Sequence, residues 1–131
     1  MGYEHRKILV VDDEELIGIT LRIILSTEGT IEYAANGREA LDKISMATYD
    51  VFIVDMNMPV MNGMDFYEEA VKTFSDIKER IIFFTGSCEE RCLSFFRENN
   101  LRYLAKPSEP QDLQNMVKEI LDHNRAVTVI A

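Results

Sequence analysis

The chain alternates between short apolar runs and longer stretches in which apolar residues recur every three or four positions. Continuous apolar runs are typical of strands buried on both faces, whereas the longer spacing indicates amphipathic helices. The predicted strands are 7–11, 31–35, 51–54, 80–84 and 101–105. The predicted helices are 13–28, one after the Asn36-Gly37 turn, one beginning near Gly63, 87–99 and one beginning near Pro110. This alternation predicts an α/β fold with a doubly wound, five-stranded parallel sheet.

The helix boundaries rest on turn residues. Gly29 is predicted to end the first helix as a C′ glycine, because glycine adopts the left-handed conformation found there. Residues 126–131 do not continue the pattern of the last helix, and they suit a frayed end, a linker stub or a strand added to a partner. At 131 residues, we expect a single domain over 1–131 with a core of about 6–125.

Three of the predicted strands end in polar residues. The first is followed by Asp12-Asp13, the third by Asp55, and the fourth by Thr85. The flavodoxin-like strand order 2-1-3-4-5 places these strands side by side, at the edge where open α/β sheets bind ligands. Two carboxylates ~4 Å apart repel by about 4 kcal/mol at an effective dielectric of ~20, so the cluster calls for a cation.

Five motifs, each at the end of an apolar run, resemble in order and spacing those of the response-regulator receiver domain of two-component signalling. They are Asp12-Asp13, Asp55 followed by Met58-Pro59, Thr85-Gly86, Tyr103 and Lys106-Pro107. The resemblance spans about residues 6 to 125 and implies the (βα)5 receiver fold, of the flavodoxin-like class.

The resemblance further implies a phosphoacceptor, Asp55, that takes a phosphoryl group from a phosphohistidine on a sensor histidine kinase or a phosphotransfer protein. Asp12, Asp13, Asp55 and the backbone carbonyl of Asn57 are expected to bind one divalent cation, with Asp12 acting through water. Oxygen ligands and retained water suit Mg²⁺, with Mn²⁺ tolerated.

Four further roles follow from the resemblance. Lys106 is expected to contact a phosphoryl oxygen and Thr85 to hydrogen-bond the phosphoryl group. When Thr85 moves, Tyr103 is expected to rotate inward, which gives a two-state switch. Asn57 and Ser87 are expected to tune the acyl-phosphate lifetime, and we predict a moderate lifetime because neither is a strong base.

The expected partner surface is the face made by the fourth helix, fifth strand and fifth helix, with a contact through Phe95 or Phe96. Its partner is an output domain, another protein or, on phosphorylation, a second copy. The net charge of −9 argues against direct nucleic-acid binding. No apolar run approaches the ~20 residues that span a membrane, so we expect a cytoplasmic protein. Cys88 and Cys92 are expected to be reduced thiols used in packing.

Two alternatives compete with the phosphoacceptor role. The first is a phosphohydrolase of the haloacid-dehalogenase class, which carries a DxDx[TV] motif at a strand end. This chain has Asp55-Met56-Asn57-Met58 at that place, so the second acid of the motif is missing. The second is a phosphorylation-independent, receiver-like interaction module. Such modules usually lose a site residue, whereas this chain retains five of them: Asp12, Asp13, Asp55, Thr85 and Lys106. We therefore expect a signalling phosphoacceptor rather than an enzyme with a separate substrate.

Overall fold

Five parallel strands form one sheet in this computed structural model, which describes the backbone of residues 6–86 and 89–130 and the side chains of those residues up to 123. The strands are β1 (Lys7–Val11), β2 (Thr30–Ala34), β3 (Val51–Val54), β4 (Ile81–Thr85) and β5 (Arg102–Ala105). Their order, β2-β1-β3-β4-β5, confirms the predicted doubly wound, flavodoxin-like sheet. The helices are α1 (Glu15–Ile24), α2 (Gly37–Ile44), α3 (Gly63–Thr73), α4 (Glu90–Glu98) and α5 (Pro110–Ile130).

Hydrophobic cores lie on both faces of the sheet, because successive residues of a strand point to opposite faces. On β1, Leu9 and Val11 belong to the core that includes α2, α3 and α4 residues. Ile8 and Val10 belong to the other core, which contains residues of α1 and α5. Burial on both faces explains why the strands read as continuous apolar runs.

No helix among the described residues has the length and apolar character needed to cross a membrane.

Two asparagines start the helices that flank the acidic edge of the sheet. The Asn36 side chain accepts a hydrogen bond from the Glu39 N–H at 2.9 Å, which caps α2. Asn62 caps α3 in the same way, through the Asp65 N–H at 2.9 Å. Such caps satisfy backbone donors that have no partner within the helix. They therefore fix where the loops that follow β2 and β3 end.

The end of α1 differs from the prediction. The helix ends at Ile24 rather than at residue 28, and Gly29 is not a left-handed C′ residue. The chain uses the intervening residues to turn back, so that the Thr30 N–H can donate to the Arg6 carbonyl at 2.9 Å and start β2. A Cβ on Gly29 would lie 2.8 Å from the same Arg6 oxygen, so glycine is needed there for space.

The last helix also differs, because the backbone of α5 stays helical to Ile130, past the expected end near 125. No glycine or proline occurs in 126–130, and each β-branched residue there costs only tenths of a kcal/mol in a helix.

The prediction of a partner contact through Phe95 or Phe96 is wrong for Phe96. Its ring is 1% exposed and lies 5.1 Å from that of Phe83, inside the core. Phe95 is half-buried, with its ring 5.7 Å from that of Tyr67. The aromatic residues of α4 thus serve packing first. Cys92 is a half-buried free thiol, whereas Cys88 lies outside the described residues.

Candidate functional site

The site is built where the sheet ladders continue past the ends of β1, β3 and β4. The Asp12 N–H donates to the Ala34 carbonyl at 3.0 Å, and the Asp55 N–H donates to the Val11 carbonyl at 2.9 Å. On the far side, the Lys106 N–H donates to the Thr85 carbonyl at 2.9 Å. Rigid strand backbone therefore sets the position of each of these residues.

Three carboxylates converge at this edge. Asp12, Asp13 and Asp55 each offer an oxygen within 4.8 Å of the others. Asp12 and Asp55 are only 2% and 7% exposed, whereas Asp13 lies open to solvent. Carboxylate oxygens with one side open to water form the donor set that a hard, water-retaining cation such as Mg²⁺ prefers. The residues therefore fit the expected cation site.

One lysine faces the buried carboxylates. The Lys106 Nζ lies 2.6 Å from Asp12 Oδ2 and 3.6 Å from Asp55 Oδ2, and its side chain is 14% exposed. Asp12 Oδ1 accepts the Glu14 N–H at 2.9 Å, so both Asp12 oxygens already have partners. The Lys106–Pro107 peptide bond is cis. Since Asp12 is held by the lysine and the backbone, Asp13 and Asp55 are the carboxylates better placed to bind a cation directly.

Burial raises the pKa of Asp55 above its ordinary value, and the Asp12 carboxylate adds to this effect. Lys106, a hydrogen bond from the Thr85 hydroxyl and the Asn57 N–H at 3.4 Å act in the opposite direction and lower the pKa. The pKa is raised on balance because the desolvation of the buried carboxylate outweighs the attraction to Lys106 and the hydrogen bonds. A cation bound here would supply positive charge and would favour the ionised form of Asp55.

The two predicted switch residues lie on one face of the sheet. Thr85 is 1% exposed and hydrogen-bonds Asp55. Tyr103 pairs in register with Phe83, two residues before Thr85, but its side chain is 42% exposed. The Tyr103 ring stacks on Phe96, with centroids 4.8 Å apart and planes at 17°. Tyr103 is therefore outside the acidic cluster here, in an outward position.

Of the two residues predicted to tune the acyl-phosphate lifetime, the structure describes only Asn57. Asn57 is exposed at the mouth of the site, and its N–H faces Asp55 Oδ1. Ser87 lies outside the described residues.

Three residues that support the site were missed. The Tyr33 hydroxyl donates to the Asp12 backbone carbonyl, and the Tyr33 ring lies against Gly18 of α1. Gly63 packs on the Asp55 backbone so closely that a Cβ there would collide with the Asp55 carbonyl. A glycine inside a predicted helix is a signal for close packing, so Gly18 could have been noticed. No sequence signal marks Tyr33.

An apolar groove of 380 Å³ opens beside Lys106, between α1 and the start of α5. Next to it, α1 carries three exposed apolar side chains at helical spacing. Leu16, Ile19 and Ile23 are 70%, 48% and 72% exposed. The helix that follows the acidic loop therefore carries exposed apolar side chains as well as one wall of this groove.

Comparison with known proteins gives a consistent picture. Residues 8–118 match the family model of the response regulator receiver domain. The chain is 33% identical over 121 residues to sporulation initiation phosphotransferase F of Bacillus subtilis, which it covers to 94% of its length, with 89% of this chain aligned.

Other relatives are longer. The chain is 31% identical to the transcriptional regulatory protein ZraR of Klebsiella oxytoca and to a protein-glutamate methylesterase/protein-glutamine glutaminase of Methanosarcina mazei. These alignments use 95% and 91% of this chain, which spans only 28% and 34% of those proteins. Among solved structures, a CheY-like receiver domain protein from Methanospirillum hungatei superimposes with a TM-score of 0.85 at 30% identity, over 94% of this chain and 98% of that one.

Proposed function

Because this chain belongs to the response regulator receiver domain family, a signalling family, we propose that Asp55 is its phosphoacceptor. The donor is a phosphohistidine on a sensor histidine kinase or a phosphotransfer protein in the cytoplasm. The observation that supports this role is the convergence of Asp12, Asp13 and Asp55 with Lys106 at the carboxyl edge of the sheet. It combines a nucleophile, a cation site and a fixed positive charge.

The transfer makes one bond and breaks one. An Asp55 carboxylate oxygen attacks phosphorus, the N–P bond of the phosphohistidine breaks, and the imidazole leaves with the bonding electron pair. Phosphoryl transfer depends on positioning and charge stabilisation more than on a strong nucleophile. Asp13, Asp55 and the Asn57 carbonyl, with Asp12 acting through water, would hold Mg²⁺ (or Mn²⁺), which would neutralise charge on the phosphoryl oxygens.

Lys106 would stabilise the negative charge on the phosphoryl oxygens as well. Its Nζ lies between Asp12 and Asp55, so it needs only to exchange a carboxylate oxygen for a phosphoryl oxygen. The Thr85 hydroxyl, which now bonds Asp55, follows the phosphoryl group and donates to it. Exposed Asn57, together with Ser87, sets how readily water reaches the acyl phosphate, and without a strong base there the lifetime is moderate.

The output surface is the face of α4, β5 and α5. Movement of Thr85 leaves space at the end of β4, and Tyr103 turns from its exposed position into that space. This rotation breaks the stacking of Tyr103 on Phe96 and changes the shape of the face. The face then binds an output domain, a separate protein or a second phosphorylated copy.

The experiment is phosphorylation by acetyl phosphate, followed as the rate of acyl-phosphate formation with Mg²⁺ and with EDTA. We expect formation to require Mg²⁺ and to fall by at least tenfold in Asp13→Asn, which removes one cation ligand and leaves Asp55 intact. The matched control is Asp42→Asn, an exposed carboxylate on α2, which should label at the wild-type rate. Equal labelling with EDTA would contradict the cation role.

A further inference from the structure

Tyr33 reaches from β2 to the loop that carries the acids. Its hydroxyl donates to the backbone carbonyl of Asp12, which belongs to the same peptide unit as the Asp13 N–H. A tyrosine hydroxyl is protonated at neutral pH, so it acts as the donor of this hydrogen bond. The hydrogen bond therefore fixes the plane of the Asp12–Asp13 peptide.

The Asp13 side chain has no such restraint. Among the side chains that the structure describes, in residues 6–86 and 89–123, it has no hydrogen-bond or ion-pair partner, and it is exposed to solvent. Asp12, by contrast, is held by Lys106 and the Glu14 N–H. The position of the Asp13 carboxylate therefore depends on its backbone, and that backbone begins at the peptide that Tyr33 holds.

Gly18 makes room for this arrangement. It is buried inside α1, and a Cβ there would lie 2.6 Å from Cδ1 and 3.0 Å from Cε1 of Tyr33. Glycine within a helix is destabilising by roughly 0.5–1 kcal/mol relative to alanine, and Gly18 has no positive φ that would require it. The close approach of the tyrosine ring accounts for this glycine.

We propose that Tyr33, seated on Gly18, is a positioning residue for the cation site. It holds the Asp12–Asp13 peptide so that the Asp13 carboxylate faces Asp55 before a cation binds. This inference rests on the proposed role of the acidic cluster in binding Mg²⁺. It extends that role to two residues that touch neither the cation nor the phosphoryl group.

Tyr33→Phe removes the hydroxyl but keeps the ring and the net charge. We expect Mg²⁺ to bind roughly three- to tenfold more weakly, the effect of losing one ordinary hydrogen bond. Affinity is measured by calorimetric titration of the folded protein without phosphodonor. Tyr49→Phe is the matched control, because it removes a similar hydroxyl bond, to Glu32 at 2.7 Å, away from the acids. Its affinity for Mg²⁺ should equal that of the wild type.

Gly18→Ala provides an independent test. The alanine methyl displaces the Tyr33 ring and should weaken Mg²⁺ binding by a similar factor, although alanine is the better helix former. In a Tyr33→Ala background the same substitution has no ring to displace, so it should leave the affinity unchanged. This double-mutant cycle isolates the coupling between the two residues. An equal loss in both backgrounds would overturn the pairing.

A kinetic measurement separates positioning from a general loss of structure. In Tyr33→Phe the Mg²⁺ concentration that gives half-maximal labelling by acetyl phosphate should rise, while the maximal rate stays within about twofold. A lower maximal rate at an unchanged Mg²⁺ requirement overturns the inference. Wild-type protein that binds no Mg²⁺ refutes the cation site as well, whereas normal binding by wild type and Tyr33→Phe alike refutes only the role of Tyr33.

Discussion

Replacing the proposed phosphoacceptor should make the cation-free protein more stable. Asp55 is 7% exposed and shares its site with Asp12 and Asp13. At an effective dielectric of ~20, Lys106 at 3.6 Å attracts the Asp55 charge by about 5 kcal/mol, and each neighbouring carboxylate within 4.8 Å repels it by about 3.5 kcal/mol or more. Solvent screens the charge of exposed Asp13, so the attraction to Lys106 offsets the repulsion, and desolvation of the buried carboxylate is what disfavours an ionised Asp55.

Asp55→Asn removes this repulsion and the desolvation of the charge, while Lys106 keeps its 2.6 Å contact with Asp12. We therefore expect the free energy of unfolding to rise by roughly 2 kcal/mol at pH 7 without Mg²⁺. Urea unfolding followed by circular dichroism measures the change. Asp42→Asn is the control, because surface substitutions usually stay within about 0.5 kcal/mol.

The raised pKa of Asp55 sets the direction in which the stability difference between Asp55→Asn and the wild type changes with pH. The folded-state pKa of Asp55 is raised, so the folded protein retains this proton more strongly than the unfolded chain does. Below the unfolded value of about 3.9 the group is neutral in both states, and the penalty is absent. As the pH rises through the folded pKa the penalty appears in full. The advantage of Asp55→Asn should therefore be largest at pH 7 and shrink toward pH 4.

Added Mg²⁺ should reverse the ranking, since a ligand stabilises the state that binds it. The wild type should gain more stability from Mg²⁺ than Asp55→Asn, which has lost a ligand. An Asp55→Asn protein that is no more stable than the wild type at pH 7, or an advantage that stays the same from pH 7 to pH 4, would refute this electrostatic reasoning.

Three further predictions concern other residues. Val60 has a φ of 69° and is 82% exposed, so Val60→Gly should stabilise the protein by about 1 kcal/mol, seen as a higher urea midpoint; a lower midpoint would contradict the strain. Lys106→Met leaves buried carboxylates unpaired and should lower the free energy of unfolding by about 3 kcal/mol without Mg²⁺. Adding Mg²⁺ should restore part of this loss. An unchanged urea midpoint would contradict the ion pair. The double substitution Leu16→Glu and Ile23→Glu should slow phosphotransfer from a donor protein, because these exposed apolar side chains lie on the helix that follows the acidic loop. Labelling by acetyl phosphate should stay unchanged. Equal slowing of both reactions would contradict a donor contact on this face of α1.

The sequence predicts the sheet and its acidic edge well, because both depend on local pattern. An apolar run that ends in Asp55 marks a buried strand and its carboxyl end, and the parallel fold brings such ends together. Lys106 and Thr85 could be placed at the same edge for this reason. Their distances from Asp55 could not be predicted, since these depend on side-chain and loop conformations that the sequence pattern does not specify.

What the sequence does not predict is contact between residues far apart in the chain. Tyr33 is one of several apolar or aromatic strand residues, and only the register of β2 on β1 brings its hydroxyl to Asp12. The apolar residues of α4 predict a partner contact through Phe95 or Phe96, yet the rings of Phe83 and Tyr103 pack on Phe96. Gly29 was expected to cap a helix, but it is needed for the approach of Arg6.

The most direct test of the central proposal is an intact-mass measurement after incubation with acetyl phosphate and Mg²⁺. Wild-type protein and Asp55→Asn are treated side by side, with circular dichroism showing that both are folded. We predict one phosphoryl adduct on the wild type and none on the variant. An adduct on both proteins, or none on a wild type shown to bind Mg²⁺, would contradict the role of Asp55 as the phosphoacceptor.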